Sequence, residues 1–93
     1  MRIAVWAGTP NHVEREVKDT PSTAKSWVLG RLANRKKWTA AHNLKMDGEL
    51  MTIREQIDSL NLQSLPIGKQ REWSTTDDYT GVTFVFGLEV QAK

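Results

Sequence analysis

Val82-Thr83-Phe84-Val85-Phe86-Gly87-Leu88-Glu89-Val90 decides how this chain folds. Val82, Phe84, Phe86, Leu88 and Val90 recur at every second position, with Thr83, Val85, Gly87 and Glu89 between them. A period of two puts the first set on one face of a β-strand, turned to a core, and the second set on the other. The polar cluster Thr75-Thr76-Asp77-Asp78-Tyr79-Thr80-Gly81 lies just before it, and Ile67 to Ser74 reads as a strand leading into that cluster. The chain therefore closes with a hairpin.

At the other end, residues 2–7 form a short run apolar on both faces, Ile3-Ala4-Val5-Trp6-Ala7 after Arg2, closed by the turn cluster Gly8-Thr9-Pro10-Asn11. A strand apolar on both sides belongs inside a sheet with cover on each face. His12 to Lys18 alternates weakly around Val13 and Val17 and reads equally as a second strand or as the start of a loop.

Between the strands lie two helical patterns. Thr20-Pro21 is a helix start: Thr caps, and Pro at the first helical position has its φ already set. Ala24, Trp27, Val28, Leu32 and Ala33 then follow at helical spacing through Lys37. Further on, Leu50, Ile53, Ile57 and Leu60 hold the 3.6 period, with Asp47 as the N-cap and an end near Asn61. The rival reading makes Asp47-Gly48 a two-residue hairpin turn; the four apolar positions favour the helix. The resulting expectation is a single α+β domain over residues 1–93. It has two layers, a mostly antiparallel sheet of the N-terminal strand and the C-terminal hairpin, covered by two helices on one face.

Composition narrows the function classes. A chain of 93 residues has room for one core. With no cysteine it can build neither disulfides nor a thiolate metal site. The apolar run at residues 3–7 is too short for a signal peptide or a membrane span. These features point to a cytoplasmic protein without membrane attachment. His12 and His42 are the only histidines and neither stands in an H-x-x-x-H pattern, so no metal is expected. Asp77-Asp78 sit in a turn, where carboxylates usually serve the backbone or stay solvated. Ala7-Gly8-Thr9-Pro10 lacks the glycine spacing of a phosphate loop and reads as a turn. No cofactor and no catalysis are expected.

Charge is unevenly placed. Thr20 to Met46 carries Lys25, Arg31, Arg35, Lys36, Lys37 and Lys45 with no acidic residue, while the rest of the chain is net acidic. Arg31 and Arg35 share a helix face, Lys36 and Lys37 lie on other sides in the last turn, and there cations also complement the helix dipole. Trp38, His42 and Lys45 follow directly, so basic and stacking groups interleave as on single-strand and RNA-binding surfaces. Three readings stay open for Arg31, Arg35, Lys36, Lys37, Trp38, His42 and Lys45. They form a solvated face that offsets the dipole, a nucleic-acid surface, or a patch for an acidic protein partner.

One resemblance bears on the choice. An amphipathic helix from Leu50-Met51 through Ile53, Ile57 and Leu60 leads into Leu65-Pro66-Ile67-Gly68, and Arg71-Glu72-Trp73-Ser74 then faces Val82-Thr83-Phe84-Val85-Phe86. Over residues 49–90 this order resembles the end of small tailed-phage tail-completion or tail-terminator proteins. The resemblance implies a ring-forming structural protein without catalysis, located in the virion or the host cytoplasm. Small size and the lack of a catalytic constellation equally suit compact phage inhibitors that bind a host enzyme. The expected function is thus a non-enzymatic protein-interaction domain that binds a protein partner or self-assembles. The alternative is a nucleic-acid-binding domain using the basic 25–45 segment.

Overall fold

The computed structural model describes residues 1–39 and 43–92, and only the backbone at 37–39. Four strands, β1 (Arg2–Thr9), β2 (His12–Lys18), β3 (Gln70–Thr76) and β4 (Thr83–Gln91), form one sheet in the order β2-β1-β4-β3. All three pairings are antiparallel. Helices α1 (Pro21–Thr39) and α2 (Leu44–Ser59) pack on one face, and a short 3-10 turn at Leu62–Ser64 leads into β3. The α+β fold expected from the pattern is the one observed.

The period-two reading of the last strand places its side chains. Phe86, Leu88 and Val90 are buried beneath the helices, and Phe84 packs against the same core. Opposite them on β1 stand Ala7, Val5 and Ile3 in register. From α1 come Ala24, Val28 and Leu32, and from α2 Met46, Leu50, Ile53 and Ile57. Ala33, expected on the inner face of α1, is exposed.

α1 begins where the capping argument puts it. The Thr20 Oγ1 accepts from the Thr23 N–H at 3.2 Å and its carbonyl from the Ala24 N–H at 3.1 Å. For α2 the helix reading holds, but its N-cap is Asn43, not Asp47. The Asn43 side chain accepts from the Met46 N–H at 3.0 Å, which starts the helix earlier and buries Met46. Asp47 lies one turn inside, where a negative charge still favours the dipole. The helix ends at Ser59.

Other boundaries also shift. β1 runs on through Gly8 and Thr9, leaving Pro10-Asn11 as the turn to β2, which is a strand. Gly8 permits this with φ 148°, where a Cβ would lie 2.2 Å from the His12 carbonyl oxygen. β3 starts three residues later than its apolar pattern indicates and runs to Thr76. Pro66 to Lys69 form a turn, and the Gly68 N–H reaches the Val90 carbonyl at 2.8 Å.

β1 is interior to the sheet, as its composition implies, but no second layer covers its outer face. Trp6 is buried there within the sheet surface itself, against Gly87.

Candidate functional site

The two arginines that share a face of α1 meet the β1–β2 hairpin across a polar cleft. Arg31, Asn34 and Arg35 line it from the helix, and His12 and Glu14 from β2. Glu14 points to the helix side because it pairs with Ala7, a core residue of β1. The Arg31 Nε donates to the Glu14 carboxylate at 2.8 Å, and its guanidinium lies 4.6 Å from the Trp27 ring centre. Arg35 stacks over Phe84 at 4.5 Å. Stacking fixes each guanidinium plane by its face. Both groups of the Arg31–Glu14 pair are about half exposed, so the pair contributes on the order of 0.5 kcal/mol.

Next to the cleft, Glu16 is held below its ordinary carboxylate value. The first cause is the hydrogen bond from Lys18 Nζ at 3.2 Å; the Trp27 N–H and the charges of Lys18 and Arg31 add to it, and desolvation opposes them. The Trp27 N–H is buried without a hydrogen bond of ordinary geometry, so its pull is the weaker one.

Lys25, Lys36 and Lys45 lie elsewhere. Lys36 turns to α2 and sits 3.5 Å from Asp47 Oδ1, an ion pair without hydrogen-bond geometry. Lys45, at the start of α2, reaches Asp78 Oδ2 at 3.4 Å beside the β3–β4 turn. Lys25 donates to the Asp58 carbonyl at 2.8 Å. The described part of the basic segment is thus distributed over several places, and among the described residues of the expected site only Arg31 and Arg35 share a cleft. The side chains of Lys37 and Trp38, and the whole of His42, lie outside the described residues.

Asp77 is buried, contrary to a solvated-turn reading, and serves the fold. Its Oδ1 accepts from Asn43 Nδ2 at 3.0 Å and from the Tyr79 N–H at 2.9 Å, joining the cap of α2 to the β3–β4 turn. Asp78 beside it is exposed. Among the described residues no group of three or more His, Asp or Glu is placed to hold a metal ion, and no helix is long and apolar enough to cross a membrane.

Sequence reasoning missed the outer face of the sheet. Arg15, Trp6, Gly87 and Glu72 form one row across all four strands. The Trp6 Nε1–H donates to Glu72 Oε2 at 2.7 Å, and the Arg15 guanidinium lies 5.5 Å from the indole centre. A Gly inside the most regular strand was the signal for this close approach. Comparison with models of protein families, with curated proteins and with solved structures gave no match for this chain.

Proposed function

We propose that this chain is a non-enzymatic protein-interaction domain, acting through its sheet and not through chemistry. In role it is a structural assembly protein of the tailed-phage kind or an inhibitor that docks on a host enzyme. The observation that carries the reading is the layering. Helices cover one sheet face, while the other face and both edge strands, β2 and β3, present backbone and mostly polar side chains outward. The phage part of the reading rests on the resemblance of the order helix, short turn, hairpin over residues 49–90.

A nucleic-acid reading rests on a different observation, the stacked Arg31 and Arg35 in one cleft. Against it, Arg31, Lys36 and Lys45 each face a carboxylate of the chain itself, which lowers the field available to a phosphate backbone. Light scattering with and without a pool of short DNA and RNA, at low and moderate salt, separates the two. The interaction reading expects a mass that ignores nucleic acid. A salt-sensitive rise in mass only when nucleic acid is present overturns it.

A further inference from the structure

The two edges of the sheet are not alike. β2, His12-Val13-Glu14-Arg15-Glu16-Val17-Lys18, is dense in charge, the pattern by which edge strands avoid pairing with one another. Laid antiparallel on its own copy about Arg15, it sets Arg15 against Arg15 and Glu14 against Glu16. Moved by one step to centre on Glu16, it sets Glu16 against itself. Like charges directly opposite disfavour both arrangements.

β3 is built the other way. Its second half, Trp73-Ser74-Thr75-Thr76, is uncharged, with β-prone Trp73, Thr75 and Thr76, and the strand contains no Lys and no Pro. Its cations and most of its acids lie at opposite ends: Lys69 and Arg71 at its start, next to Glu72, and Asp77 and Asp78 just past its end. The backbone of Thr76, Ser74 and Glu72 faces outward. The Asp77 N–H donates to the Val82 carbonyl at 2.8 Å, and with Thr76 paired to Thr83 and Ser74 to Val85, the antiparallel alternation turns every second residue away from β4. A shallow groove runs beside this edge between β3 and α2, lined by Lys45, Glu49, Thr52, Ser74 and Thr76.

Resting on the interaction reading above, we infer that β3 is a self-association edge whose occupant is β3 of a second copy of this chain. The two strands pair antiparallel across a two-fold axis through Ser74. In that register Ser74 meets Ser74, Glu72 meets Thr76 and Trp73 meets Thr75 of the second copy. Asp78 of one copy falls opposite Gln70 of the other, between the two cations Lys69 and Arg71. Asp78 is available for this, because its pair with Lys45 is solvent-exposed on both sides. The two sheets join into one of eight strands with all four helices on the same face. One added strand on each copy buries a small area, so the dimer is a weak one with micromolar dissociation.

Sedimentation equilibrium from low micromolar to several hundred micromolar protein tests this. Wild-type protein is expected to move from the 10.6 kDa monomer to twice that mass as concentration rises. Ser74→Pro removes an outward N–H and is expected to stay monomeric while keeping its circular dichroism. Should that variant fail to fold, exposed charges take its place: Arg71→Glu weakens the dimer about tenfold, and adding Asp78→Lys restores most of it. A folded Ser74→Pro variant that still dimerises, or an Arg71→Glu variant with unchanged dissociation, overturns the inference but leaves the interaction reading standing. A wild-type chain that stays monomeric throughout also overturns the inference; only a salt-sensitive gain of mass with nucleic acid overturns the interaction reading.

Discussion

The Trp6 indole lies across Gly87, its partner on β4, so closely that a Cβ at position 87 would come within 2.2 Å of Trp6 Cε2. That contact explains how a large aromatic ring is buried on a sheet face without a covering layer. The missing side chain provides the recess, Glu72 takes the N–H and Arg15 covers the ring.

Gly87→Ala should therefore be costly. The methyl group must expel the indole from its recess or bend the two central strands, and overpacking of this kind destabilises by about 1–3 kcal/mol. Urea denaturation measures the loss, and the tryptophan emission of the folded variant should shift to the red as Trp6 meets water. Combined with Trp6→Ala, the substitution should cost less than the two single changes added together. Strict additivity would mean that the recess does not hold the ring.

Asn43 caps α2 and bonds a buried carboxylate, whereas Asp47 contributes charge alone. Asn43→Ala removes the N-cap of α2, worth about 1 kcal/mol, and leaves the buried Asp77 carboxylate short of a donor, worth about 1–3 kcal/mol more. Asp47→Ala removes only a favourable charge in the first turn and its pair with Lys36, about 0.5–1 kcal/mol. Thermal unfolding of the two variants should rank them in this order. A larger loss at Asp47 would return the cap to the position that the sequence pattern favours.

These two sites mark where the pattern was readable and where it was not. The alternation of Phe84, Phe86, Leu88 and Val90 and the spacing of Leu50, Ile53 and Ile57 each report a burial direction that local geometry alone sets, and the fold follows from them. The start of α2 is different. Asn43 is chosen over Asp47 because it also bonds Asp77, a residue distant in sequence, and no local rule contains that partner. The basic segment was legible as charge but not as surface. Glu14, Asp47 and Asp78 come from three other elements to meet Arg31, Lys36 and Lys45, and only the tertiary structure brings them there.

The depressed titration of Glu16 gives a pH test. Its folded value lies below its ordinary value of 4.5, so its contribution to stability is fully present above that value. It is lost as the pH falls through the lower, folded value. Lys18→Ala removes the largest cause and should bring Glu16 back towards its ordinary titration. Carboxyl-carbon NMR of Glu16 in the two proteins reads this directly. An unchanged midpoint in Lys18→Ala would assign the depression to Arg31 and Trp27 instead.

Gly30 and Gly48 make the converse case to Gly87. Both lie within helices, Gly30 in α1 and Gly48 in α2, and both are exposed. A Cβ built at either position meets nothing within 4 Å. Glycine in a helix interior costs roughly 0.5–1 kcal/mol relative to alanine, because the unfolded chain loses more freedom there. Gly30→Ala and Gly48→Ala should each raise stability by about that amount, and because they sit on different helices the gains should add. Chemical denaturation of the two single variants and the double variant checks the sum. A neutral or destabilising result at Gly30 would mean that the methyl group costs the folded helix as much as the lost backbone freedom costs the unfolded chain.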